Sequence, residues 1–152
     1  MAANLIKAGH EVAVWNRSAG KTVEGARAAA TPAEAARDAE VVWICVSDTK
    51  AVESVLFGPQ GVEATIASGA IIVDSSTISP SAERKFAEKF AAKGVHYVDA
   101  PVTGSKVAAE AGTLIFMTGI GITTDTTIII TAGTAGCPRM TNNGSTATTR
   151  DG

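Results

Sequence analysis

The feature that most constrains this chain is a series of short, unbroken apolar runs separated by helix-like segments. Val41 to Val46 reads VVWICV and Ala70 to Asp74 reads AIIVD, and Val95 to Asp99, which is not continuously apolar, reads as a further strand. A continuous apolar run suits a strand covered on both faces, as in a parallel sheet, whereas a half-wet strand alternates. Between these runs, Thr49 to Phe57 reads as a helix closed by Gly58-Pro59. Ser79-Pro80 opens the strongest helix. Its Ala82, Phe86 and Phe90, with Ala87 and Ala91, form an apolar face, while Glu83, Lys85, Glu88 and Lys89 stay in water. Gly94 ends it. Strands alternating with helices at this spacing predict an α/β fold with a mainly parallel sheet. Right-handed crossovers then gather the carboxyl ends of the strands on one rim, where ligands bind in such sheets.

The remaining segments fit that plan. Ala2 to Ala8 reads as a helix with Gly9 just past its end, and Glu11 to Trp15 as a strand. Lys21 to Ala30 is rich in alanine and reads as weakly helical. Thr31-Pro32-Ala33-Glu34 has the form of a capping box, with threonine as cap, proline at the first helical position and glutamate three residues on. The helix it opens should end near Asp38. Val62 to Ala67 adds a turn or two, Lys106 to Ala111 a short helix, and Thr113 to Thr118 a further strand. Residues 120–152 change character: they hold no Lys, Glu or Leu and are crowded with Thr, Gly and Asn. The expected organisation is one structured domain over 1–119 and a Thr/Gly-rich tail over 120–152 with little structure of its own.

Bulk properties exclude several classes of function. A net charge of −2 offers no electrostatic footprint for nucleic acid or an anionic membrane. Two cysteines, Cys45 and Cys137, make neither a disulfide framework nor a metal-ligand spacing, and Cys45 reads as a small buried hydrophobe. No metal site is expected. No run of about 20 apolar residues is present, and Met1 to Leu5 is too short for a signal peptide, so a cytoplasmic location is the default expectation.

Four polar clusters fall at the carboxyl ends of the expected strands: Asn16-Arg17-Ser18, Ser47-Asp48, Asp74-Ser75-Ser76-Thr77, and Pro101 to Ser105. In dinucleotide folds an acidic residue at the end of the second strand binds the ribose 2′-hydroxyl. Here Asn16 stands there, followed by a guanidinium and a hydroxyl, which suit a 2′-phosphate. A solvated turn is the plainer reading. Ser47 or Asp48 could equally cap the helix that follows. Thr77 could belong to an ordinary turn before Pro80, and Asp74 is read as satisfying local backbone donors. His10 and His96 show no partner that would make them acid–base groups.

With these residues in view, the chain resembles the β-hydroxyacid dehydrogenases, the group that includes 3-hydroxyisobutyrate dehydrogenase and the glyoxylate/succinic semialdehyde reductases. MAANLIKAGHEVAVWNRS resembles the first helix and second strand of their Rossmann-like, doubly wound cofactor domain. WICVSD and IIVDSSTISP resemble its fourth and fifth strands, and VDAPVTGSKVAAEAGTL the substrate-binding signature. The resemblance implies NADP as cofactor, NAD less readily, bound by Asn16, Arg17, Ser18, Val46, Ser47 and Thr77, with Ala51 a further contact position. It implies that Thr103, Gly104 and Ser105 hold a small hydroxyacid or semialdehyde, and that intact relatives are homo-oligomers. Lys106, which follows that triplet as in the glyoxylate-reductase-like branch, is expected to be a solvated helix start. The resemblance also implies a fragment. The family's first strand and Gly-x-Gly-x-x-Gly loop do not appear ahead of Met1, the match stops near Gly119, and no catalytic residue can be assigned because the family's lysine lies in a later helical domain. The function expected is that of the NADP-binding part of an oxidoreductase; the alternative is a non-catalytic nucleotide-binding or vestigial protein.

Overall fold

The computed structural model describes residues 1–18 and 20–118. The expectation of a Thr/Gly-rich tail over 120–152 lies outside the described residues. The elements run α1 (Ala2–Lys7), β1 (Ala13–Val14), β2 (Arg27–Ala28), α2 (Pro32–Ala36), β3 (Val41–Ile44), α3 (Thr49–Phe57), a 3-10 turn (Val62–Ala64), β4 (Ile71–Asp74), α4 (Pro80–Ala91), β5 (His96–Asp99), β6 (Val102–Thr103), α5 (Lys106–Ala111) and β7 (Ile115–Phe116). The alternation read from the sequence is an α/β chain. β3, β4 and β5 form one parallel sheet in that order, with Ile44, Asp74 and Asp99 side by side at its carboxyl end. β1 and β2 form a second, separate parallel pair.

The helix ends follow their sequence signals. Thr31 Oγ1 accepts from the Glu34 N–H at 3.0 Å, and Glu34 Oε2 reaches back to the Ala30 N–H at 2.9 Å. Gly9 takes φ +89 just past α1, as expected of a residue closing a helix in the left-handed region. Lys21 to Ala30 is not a helix. Gly20 and Gly25 both take positive φ, and the Arg27 and Ala29 N–H groups donate across to Val12 and Val14 as part of the parallel pair. Alanine's helix preference is weak beside two chain reversals and a ladder that satisfies the backbone.

The core lies on one face of the three-stranded sheet, beneath α3 and α4. Ile44, Ile72, Val95 and Tyr97 from the sheet meet Val52 and Leu56 of α3 and Phe86 and Phe90 of α4. Phe57 stacks against Phe90 at 5.2 Å between centroids, and Phe90 against Tyr97 at 6.4 Å. The opposite face departs from the expectation of strands covered on both sides: Val41 is 53% and Ile71 36% exposed. Trp43 on that face is partly covered by Phe116, at 5.2 Å between ring centroids. Cys45, expected to be buried, is exposed, because it lies past Ile44, the last paired residue of β3. β6 and β7 form an antiparallel pair that holds the chain between β5 and α5. Among the described residues no helix is long and apolar enough to cross a membrane.

Candidate functional site at the carboxyl ends of the strands

The site is built from the loops that leave β1, β3, β4 and β5. After β1, Asn16 Oδ1 accepts from the Ser18 N–H at 3.1 Å, folding a tight turn that leaves Asn16, Arg17 and Ser18 exposed. After β3, Asp48 caps α3 by accepting from the Ala51 N–H at 2.9 Å, and the Ser47 hydroxyl donates to Asp48 at 2.9 Å. Asp48 is thus the helix cap, and Ser47 supports it. The Asp48 carboxyl sits below the usual carboxylate range, first because of the Ala51 N–H, then the Ser47 hydroxyl, with the positive charge of Arg17 a smaller contribution. That last influence links the β1 turn to the end of β3, although the two strands belong to separate sheets.

The loop after β4 is the most heavily tied part of the rim. Asp74, Ser75 and Ser76 are all buried, at 1%, 5% and 2% exposure. Asp74 Oδ1 accepts from the Ser76 N–H at 2.8 Å, and Asp74 Oδ2 from the Tyr97 hydroxyl at 2.6 Å. The local role read for Asp74 is what the structure gives it, with Tyr97 as a partner that the sequence did not reveal. Burial and the bond to Asp74 push the Tyr97 hydroxyl well above its ordinary pKa. Ser76 Oγ accepts from the Val46 N–H at 3.0 Å, and Ser75 Oγ from the Trp43 indole at 2.9 Å. Among the described residues no buried side-chain polar atom lacks a partner. Thr77, next in line, is exposed at the rim.

At the end of β5 the chain turns through Pro101 into β6. Gly104 takes φ +139, and a Cβ there would stand 2.7 Å from the Leu114 side chain, so only glycine fits. Ser105 is the cap of α5, with Oγ accepting weakly from the Ala108 N–H at 3.4 Å. Thr103, Gly104 and Ser105 are exposed, and Lys106 is also exposed as expected, pairing with Glu110 at 3.7 Å. Near the ends of β4 and β5, Glu83 departs from the wet position read for it. It is half-buried and shares a hydrogen bond with Asp99, with Asp74 close by. Burial first, then the charges of Asp99 and Asp74, push Glu83 up to about 7, and burial raises Asp99 as well. His10 and His96 are exposed and take no part.

Strand register and the bond from Val46 to Ser76 therefore bring the loops after β3 and β4 together, while register sets the end of β5 beside that of β4. Of the β1 turn, Arg17 is near enough for its charge to lower the Asp48 carboxyl slightly. Residues 1–132 match the model of the NAD binding domain of 6-phosphogluconate dehydrogenase. The chain belongs to this family. Among relatives of the NAD-binding domain, 3-hydroxyisobutyrate dehydrogenase of Pseudomonas aeruginosa is 42% identical over 123 residues, covering 78% of this chain and 41% of that protein. Cytokine-like nuclear factor N-PAC of Mus musculus is 39% identical over 114 residues, covering 75% of this chain and 20% of that one. A solved structure, Psf3 in complex with NADP+ and 2-OPP, superposes with a TM-score of 0.71 at 31% identity, covering 77% of this chain and 43% of its own. The chain thus spans from a fifth to less than half of the length of these proteins.

Proposed function

We propose that this NAD(P)-binding domain takes NADP(H) in preference to NAD(H) and serves hydride transfer to or from a small β-hydroxyacid or semialdehyde. The observation that carries the cofactor choice is the Asn16-Arg17-Ser18 turn. It presents a cation and a hydroxyl at the end of β1 with no carboxylate beside them in sequence. A guanidinium makes charge-assisted bonds to a phosphate, and an acidic residue at that strand end would repel it. The NADP+ held by the structurally similar Psf3 supports the same choice. In this reading Val46, Ser47 and Thr77 line the path of the nicotinamide half. The Val46 N–H is already taken by Ser76, so this residue meets the cofactor through its carbonyl and side chain. Thr103, Gly104 and Ser105 hold the substrate's carboxylate by hydroxyl and N–H groups. The nicotinamide supplies the hydride, and the chain's own residues orient it.

A direct test is titration of the purified 152-residue chain with NADPH and with NADH, followed by the fluorescence of Trp15 and Trp43. Saturable NADPH binding is expected, with Arg17→Ala weakening it by about tenfold to a hundredfold and leaving NADH nearly unchanged, the range of one to two charge-assisted hydrogen bonds. Equal loss for both cofactors would remove the 2′-phosphate assignment; no binding of either would remove the cofactor reading. A second reading, a nucleotide-binding module without turnover, is favoured by one observation: the similar N-PAC is named as a nuclear factor rather than as an enzyme. NADPH oxidation by this chain with a small semialdehyde would exclude the second reading.

A further inference from the structure

We infer that Ser76, itself held by Asp74, is the residue that positions the Val46–Ser47 turn against the cofactor, without touching the cofactor itself. The inference rests on the NADP(H) reading above. Ser76 is 2% exposed, so its hydroxyl is not offered to a ligand. Its Oγ is instead the acceptor for the Val46 N–H at 3.0 Å, the first residue after β3 that the cofactor reading uses. The Ser76 backbone N–H is in turn fixed by Asp74 Oδ1 at 2.8 Å, and the other oxygen of Asp74 is clamped by Tyr97 at 2.6 Å. A buried carboxylate with donors on both oxygens has little freedom to rotate. The chain of bonds therefore runs from β5 through the end of β4 to the turn after β3. It sets the height of Val46 and Ser47 above the sheet, and Thr77, the next residue after Ser76, leaves the same anchored point. The Ser79 N–H, at 3.4 Å from Thr49 Oγ1, adds a weaker tie from the same loop to the start of α3.

The test compares NADPH dissociation constants of the full chain with those of Ser76→Ala, Ser76→Thr and Val62→Ala, each measured well below its own unfolding temperature. Val62 is buried in the 3-10 turn that packs on α2 and α3 and belongs to none of the bonds that run to the rim, so its truncation lowers stability without altering them. Ser76→Ala is expected to weaken NADPH binding about tenfold, the effect of one lost hydrogen bond at a positioned group. Ser76→Thr, which keeps the acceptor, is expected to restore binding to within about twofold, and Val62→Ala to leave it unchanged while unfolding at lower temperature. Should Ser76→Ala fail to fold, Ser76→Cys fills nearly the same space with a poorer acceptor and is expected to weaken binding in the same direction. Wild-type affinity in both the alanine and the cysteine variants overturns the positioning role and leaves the cofactor reading intact. Equal weakening in Val62→Ala also overturns it, since loss of stability would then explain the effect. Absence of NADPH binding by the unaltered chain overturns both.

Discussion

Single residues decide how this rim responds to its surroundings, and Glu83 is the clearest case. Its carboxyl is pushed up to about 7 by burial and by the neighbouring charges of Asp99 and Asp74, so the folded chain keeps a proton that the unfolded chain releases near the ordinary value of 4.5. The folded state then binds more protons than the unfolded one, and stability falls as pH rises between those two values. Asp99, also raised, acts in the same sense, whereas Asp48, lowered, acts only below the usual carboxylate range. Thermal unfolding followed by circular dichroism should show a midpoint that drops from about pH 4.5 to about pH 7. Glu83→Gln should flatten that slope and be the more stable protein above pH 7; superimposable profiles would refute the assignment. None of this was legible in the sequence. Glu83 falls on the polar side of a helical pattern, and only the register of β4 with β5 reveals that Asp74 and Asp99 lie beneath it. Cys45 failed in the opposite direction: an apolar neighbourhood in sequence did not show that strand pairing ends one residue earlier.

Elements were read best where a chemical stop or start signal stood beside the periodicity. The box at Thr31 to Glu34 forms as written, and Thr31→Ala should cost about 1 kcal/mol in urea unfolding at an unchanged slope. A loss indistinguishable from zero would mean that the α2 end is held by packing alone. α3 and α4 were equally plain, since Asp48 and Ser79-Pro80 open them and apolar residues recur at helical spacing. The misreading of Lys21 to Ala30 has a general cause. A two-residue strand such as Arg27–Ala28 gains its bonds from β1, a partner that its own composition does not announce. The same holds for Val102–Thr103, which is a strand only because Ile115–Phe116 lies across from it.

At the scale of the whole molecule, the parallel α/β plan and the gathering of polar clusters on one rim were legible because alternation and crossover handedness leave few other arrangements. The division of the strands was not. β1–β2 and β3–β4–β5 share no ladder, so the first pair lacks the cooperative support that the second draws from the aromatic core. Amide hydrogen exchange should therefore show Arg27 and Ala29 opening at a lower free energy than Ser75 and Ala100, whose N–H groups donate to Ile44 and Asp74 in the larger sheet, by local rather than global unfolding. Equal protection across both sheets would show that they unfold as one unit. The buried triplet after β4 has a consequence on a longer timescale. Each of Asp74, Ser75 and Ser76 answers a donor that sits on another strand or loop, and replacing Asp74 strands the Tyr97 hydroxyl in a dry interior. A lineage that gives up the acid at 74 leaves the phenol at 97 without its acceptor, so the two positions are expected to change together.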